Sequence, residues 1–412
     1  MASHHFPYTG FPSAPTHSNS SPNITSPFET SPVITFHPLT NGDVRTRRER
    51  EADIVRNFSS ELTTLLPIQP NLKPKYEQVA LLDDVISDLV SLRRLKEVCT
   101  VPISSEEVIS CIAWSQPQNK HFALSYNTKI KLYDYRQTLE NGLISQYLCC
   151  PFEEVKTDSQ VLSIAFQRSH ISYCLASGEK DGTICLWRYE EQRNTNQFVK
   201  DTIDKLASTC WTVSWMPGST LVTYGGQDGI IRIHECVTKT SMYEWRADAS
   251  VNALLFANQN LLIAGTSSDA IPLYDLRTPS ISIGKLKRVN QGVCALSSIV
   301  GSEFEVVSAS KDSTLTLWDL RMRRLVRGYR GHKNEDKFVG LANNGKFIAV
   351  GTEDDSIILY HKEISSPVMC YNYPPGNMGF VRCLSFHEDE KHLIGGNSTG
   401  NVKILKIEMD LP

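Results

Sequence analysis

Paired cysteines are missing from this sequence. Its eleven cysteines stand singly apart from the adjacent Cys149 and Cys150, no CxxC occurs, and none precedes Cys99. A RING or similar zinc module needs cysteine and histidine ligands in closely spaced pairs, so these residues supply none. The thiols read instead as small core hydrophobes. Apolar runs of the roughly 18 residues that span a bilayer are also missing, as are the charged start and apolar stretch of a signal peptide. An intracellular protein with no membrane partner is expected. A large excess of charge of either sign is missing too, and a formal net charge of -3 gives no general attraction to nucleic acid or anionic lipid. No P-loop, dinucleotide fingerprint or HExxH occurs, and the histidines are too scattered for a metal-ligand set. No cofactor, no metal and no catalytic constellation are therefore expected. Gly396 to Gly400 fit the spacing of a nucleophile elbow, but a strand pattern follows where the elbow needs a helix, so they read as a turn.

What is present is apolar mass enough for a large core, 41% of the chain. Residues 1–43 are rich in Ser, Thr, Pro and His and almost uncharged, a composition that cannot offset the entropy of ordering, so a disordered tail is expected there. Residues 44–96 read as a short helical segment. It starts basic (Arg45, Arg47, Arg48, Arg50), continues with Phe58, Leu62, Leu65 and Leu66 at helical spacing, and stops at Pro67. Val79, Leu82, Ile86, Leu89, Leu92 and Leu95 then recur every three or four residues, which predicts a second amphipathic helix.

From residue 97 to 412 the pattern becomes short alternating runs bounded by Gly, Asp, Asn and Ser, the signal of strands joined by tight turns. Seven units can be laid out. Taking Tyr133, Trp187, His234, Tyr274, Trp318, Tyr360 and Leu405 as equivalent positions, the spacings are 54, 47, 40, 44, 42 and 45 residues, mostly the WD-repeat period. Asp181, Asp228, Asp312 and Asp354 each lie six residues ahead of such a position, which argues for one repeated turn. The fold class is all-β: a seven-bladed WD40 propeller behind the helical segment and the tail. The last unit leaves too little chain for its outer strand, so Glu97–Val101 is expected to supply it from the N-terminal side. His332 reads as a structural histidine bonded to the Asp and Trp of its blade.

The stretch GHKNEDKFVGLANNGKFIAVGTEDDSIILYHKEIS (Gly331 to Ser365), with SASKDSTLTLWDL, YDLR, CWTVSW and the ending STGNVKIL, resembles the propeller of the constitutive photomorphogenesis family of E3 ubiquitin ligases. The resemblance covers roughly residues 75 to 407. Family ligases carry a RING finger and coiled coil ahead of the propeller, and the RING is absent here, so the resemblance implies a non-catalytic ligase component. Their propellers bind short Val-Pro peptides with acidic flanks. By motif alignment Trp211, Glu335 and Phe338 match pocket positions. Lys180 stands where the family has an aromatic residue, and the basic anchors are replaced by Gln160, Thr209 and Gln291. Trp318, Asp319 and Arg321 form a WDxR box similar to that of propellers that dock on the adaptor of cullin-four ligases. For Trp211 and Phe338 ordinary packing between blades is the competing reading, and for the box a plain strand end.

Three functions stay open. The first is a substrate receptor or regulatory subunit of a ubiquitin ligase, with clients bearing short linear motifs and a cullin-four adaptor or a RING-bearing relative as partners. The second is a scaffold or competitor for the same clients. The third makes Arg45 to Leu95 a helix-loop-helix DNA-binding domain, although Glu49, Glu51 and Asp53 interrupt the basic stripe that would line phosphates, so DNA is not the expected partner. The arginine cluster is compatible with nuclear import, and residence in nucleus and cytoplasm is expected.

Overall fold

The computed structural model describes residues 47–65, 76–101, 108–115, 120–144, 151–167, 174–191, 196–278, 282–287, 291–374 and 379–410. The expected tail, 1–43, lies outside them. Seven antiparallel four-stranded sheets make the blades. Their inner strands, in chain order for blades 1 to 7, are Ile109–Trp114, Val161–Phe166, Cys210–Trp215, Val251–Phe256, Val293–Ser298, Leu341–Asn343 and Val381–Phe386. Each inner strand lies against those of the flanking blades, and that of blade 7 meets that of blade 1, so the ring closes.

The seven repeat positions fall on the third strand of every blade, each opposite an apolar residue of the second: Tyr133 on Phe122, Trp187 on Leu175, His234 on Val222, Tyr274 on Leu262, Trp318 on Val306, Tyr360 on Ile348 and Leu405 on Leu393. The repeated aspartate makes one recurring turn. Asp181, Asp228 and Asp312 each accept the backbone N–H two residues on, from Thr183, Ile230 and Thr314, the local bond that lets Asp hold a tight turn. Asp354 accepts instead from the Ser356 hydroxyl at 3.0 Å. The core sits between blades: Val307, Leu315 and Leu317 of blade 5 share one cluster with Val350, Ile358 and Tyr360 of blade 6. No blade buries both faces alone.

Closure comes from the N-terminal side. The strand Leu92–Val101 runs antiparallel to Val402–Met409, from Leu92 opposite Met409 to Val101 opposite Val402. The helix preceding it is therefore shorter than its periodicity promised: it ends at Ser91, and Leu92 and Leu95 are strand residues. The reason is two register shifts, at Leu92/Arg94 and Glu97/Cys99. They send Leu92, Leu95, Cys99 and Val101 to the buried face at intervals of three, four and two residues, so a bulged strand imitates a helical stripe.

Two helices, α1 (Arg47–Thr64) and α2 (Tyr76–Ser91), pack on the ring through polar as well as apolar contacts. Arg50 donates to the carbonyl of Val90 and to Asp410 at 2.7 Å, Glu61 accepts from the Ser365 backbone and the Ser366 hydroxyl, and Asp88 meets Lys346 at 2.9 Å. Ile54, Phe58 and Leu62 form the buried stripe of α1, and Val85 and Leu89 that of α2, whereas Val79 is exposed. A third helix, α3 (Tyr135–Ile144), was not anticipated. Asp134 caps it by accepting the Gln137 N–H at 2.8 Å, and its insertion accounts for the long first repeat interval.

Candidate functional site

Inner strands in a propeller surround a channel, and what lines its mouth depends on how those strands begin. In blades 1, 2, 3, 4, 5 and 7 the pairing of the first two strands slips after the first inner residue. A bulge of this kind re-aims the side chain it leaves unpaired. The six bulge residues, Ser110, Leu162, Trp211, Asn252, Cys294 and Arg382, all line one cavity of about 250 Å³ at the channel, together with Phe338 and Gly340 of blade 6.

Trp211 and Phe338 come from blades three steps apart, and their rings stack with centroids 5.5 Å apart at 27°, within the range of an attractive aromatic pair. Packing within the blades does not explain Trp211. Trp187, Trp215 and Trp318 are at most 5% exposed and send their indole N–H to Ser177, the Ala165 carbonyl and Ser308. Trp211, by contrast, keeps part of its surface open at the cavity. Phe338 is set by the loop ahead of it. Glu353, on the turn after the second strand of blade 6, accepts the backbone N–H groups of Glu335, Asp336 and Lys337 at 2.9, 2.6 and 2.7 Å. Burial alone would push the Glu353 carboxyl up, but those three donors and Lys337 hold it below its ordinary value. Lys311 covers Phe338 with its ammonium 5.0 Å from the ring centroid.

Of the pocket residues read from the sequence, the structure brings together Trp211 and Phe338. Glu335 and Lys180 are exposed and do not line the cavity. Sequence reasoning missed Glu353, Lys311 and Arg382. Arg382 follows Val381 as Trp211 follows Cys210, so the equivalent place in the repeat was the available signal. In the WDxR box Trp318 is inside blade 5, 1% exposed, and offers no surface. Asp319 accepts the backbone N–H of Arg321 and Met322, and the exposed Arg321 lies over Phe304 at 4.6 Å. His332 also differs from expectation: it bonds neither Asp nor Trp, and its Nδ1 faces the Tyr360 hydroxyl at 3.1 Å. Tyr360 occupies the place tryptophan holds in blades 2 and 5, which puts a hydroxyl where an indole would be. Among the described residues no group of three or more His, Cys, Asp and Glu is placed to hold a metal ion.

The family WD domain, G-beta repeat, matches residues 152–188, which run from the outer strand of blade 1 through the first two strands of blade 2 and most of its third. With seven such blades around one channel, the assignment is direct. This chain is a WD-repeat propeller. It is similar to the E3 ubiquitin-protein ligase COP1 of Arabidopsis thaliana, 25% identical over 73% of this chain and 45% of the ligase. Similar also are the Protein SPA1-RELATED 4 of Arabidopsis thaliana, 24% identical over 74% of this chain and 39% of that protein, and the WD repeat-containing protein RUP2 of Arabidopsis thaliana, 23% identical over 73% of this chain and 88% of that protein. The chain spans under half the length of the COP1 ligases it matches. A WD-repeat relative of these proteins without a RING pattern fits the RUP2 match, which spans most of that protein.

Proposed function

We propose that this WD-repeat propeller is a non-catalytic, client-binding subunit of a ubiquitin ligase and that it holds a short linear motif across its channel mouth. The observation that carries the reading is the partly open Trp211–Phe338 stack, whose loop is tied to Glu353 by three hydrogen bonds. An extended peptide lays an apolar side chain on such a preformed aromatic slot at low ordering cost. The exposed Glu335, Lys180 and Lys337 supply the polar contacts around it. Ubiquitin transfer falls to a partner, a RING-bearing relative or a cullin-four adaptor. Arg321 with the exposed Phe304 and Met322, 36% and 63% accessible, is the surface offered to the adaptor. Nucleus and cytoplasm are the compartments where such a subunit acts. DNA binding through the helical segment is disfavoured, because Arg50 is 6% exposed and engaged with Val90 and Asp410.

One observation favours a second reading, a scaffold or competitor for the same clients: the match spans most of RUP2, whose name describes a WD repeat-containing protein and no ligase. Purification of the full chain from cells with the proteasome blocked, followed by mass spectrometry, separates the two. A co-purifying cullin-four adaptor or RING-bearing relative supports the ligase subunit, and reproducible absence of both supports the competitor. In either case Trp211→Ala should weaken peptide binding at least tenfold, about 1.4 kcal/mol. The melting temperature should move by no more than about 3 °C, since the side chain is not part of a blade core.

A further inference from the structure

Polar contacts near both ends fasten α1 to the ring. In its first turn Arg50 donates to Asp410. In its last, Glu61 reaches the turn of blade 6 between the strands Ser356–His361 and Pro367–Asn372. There the Glu61 carboxylate accepts the backbone N–H of Ser365, the backbone N–H of Ser366 at 3.4 Å and the Ser366 hydroxyl. Both serines are half-buried, and the residue that follows them is Pro367. The charged side chains of the same turn are already paired, Glu363 with Arg327 at 3.1 Å and Lys362 with Glu305 at 2.7 Å. Arg330 meets the turn through its backbone N–H, which donates to the Ser365 carbonyl at 3.3 Å.

The contact depends on the proton of the Ser366 hydroxyl. A phosphoryl group at that oxygen replaces a donor with about −1.5 to −2 of charge and with oxygens that accept strongly. Such a group repels the Glu61 carboxylate and can take over the two backbone N–H groups that Glu61 now serves. We infer that Ser366 is a phosphorylation site for a kinase that takes serine ahead of proline, and that its modification releases α1 from blade 6. In the transfer the Ser366 Oγ attacks the γ-phosphorus of ATP. The Oγ–P bond forms, the bond from that phosphorus to the bridging oxygen breaks, ADP leaves, and the hydroxyl proton passes to the base of the kinase. The docked helix holds the hydroxyl, so the kinase acts while α1 is lifted and the phosphate then prevents its return. Lifting is a local event: it uncovers Ile54, Phe58 and Leu62, whereas the ring is closed by Leu92–Val101, outside α1.

The test treats the full chain with ATP and a proline-directed kinase and reads phosphate at Ser366 by mass spectrometry. Glu61→Gln, which keeps the shape of the side chain and weakens its hold, should be modified at Ser366 about tenfold faster than the wild type, because the rate follows the population of the open form. A second measure is tryptic cleavage after Arg56, whose side chain is 77% accessible but whose peptide bond the docked helix protects. The phosphorylated chain should be cut there about tenfold faster than the untreated one. Ser21, Ser26, Ser31 and Thr278 also stand before proline. Ser366→Ala under the same treatment is therefore the control, and its cleavage should not accelerate. Absence of phosphate at Ser366 in both the wild type and Glu61→Gln overturns the site. Phosphate at Ser366 with unchanged cleavage after Arg56 overturns the release, the ring then keeping the helix despite the added charge. Should Glu61→Gln fail to fold, the wild type and Ser366→Ala decide both points.

Discussion

His332 shows how one side chain sets a pH limit for the whole ring. It is 4% exposed, its Nδ1 faces Tyr360 and its Nε2 has no partner. Burial pulls its pKa down to about 4 from an ordinary 6.5, the nearby Asp312 and Asp354 only partly opposing that fall. The folded imidazole is therefore neutral, while the unfolded one takes up a proton below pH 6.5. Between about pH 6.5 and 4 the unfolded chain binds more protons, so stability falls as pH drops through that window and levels off below it. The contribution is at most about 3 kcal/mol. In His332→Gln, calorimetry from pH 7 to pH 4.5 should show a shallower loss of melting temperature than in the wild type. An unchanged slope would place the acid sensitivity elsewhere.

At the level of elements, the strand that closes blade 7 does more than its length suggests. It covers the edge of Val402–Met409 and sets Leu92, Leu95, Cys99 and Val101 into the core. Removing residues 1–75 should leave a folded propeller with a lower melting temperature, because α1 goes and takes the Glu61 and Arg50 contacts with it. Removing residues 1–101 should give a chain that aggregates, since an unpaired apolar edge is a template for further pairing. Size-exclusion chromatography of the two truncations reads the difference. Legibility in the sequence follows the same division. The third strands were readable because the repeat positions recur at a nearly steady interval, with Asp six residues ahead in four of the seven units, and the closing strand because the last unit ran out of chain. The boundary at Ser91 was not, because two bulges gave a strand the period of a helix. Nor was α3 readable, because Tyr135–Ile144 follows a strand without a break and shows itself only as excess length. In the site, Trp211 and Phe338 were legible by motif, whereas Arg382 joins them at the cavity only because a bulge re-aims it.

For the whole molecule, the sharing of cores between neighbouring blades makes stability a property of the ring. Leu317, 1% exposed, packs in a cluster that spans blades 5 and 6. Leu317→Ala should cost about 2–5 kcal/mol and shift a single calorimetric transition downward, because a blade that loosens exposes its neighbours' faces as well. A separate early transition for two blades would show instead that the ring melts piecemeal. The closing strand adds a matter of timing. Val101 and its partner Val402 are made far apart on the ribosome. At about 5–20 residues per second the first waits roughly 15–60 s for the second. Through that interval the closing strand waits unpaired while blades 1 to 6 are made one after another, so the nascent chain offers chaperones a long appointment. Synonymous changes that slow translation of the last blade should lengthen it and lower the yield of soluble protein, with no change in the amino-acid sequence at all.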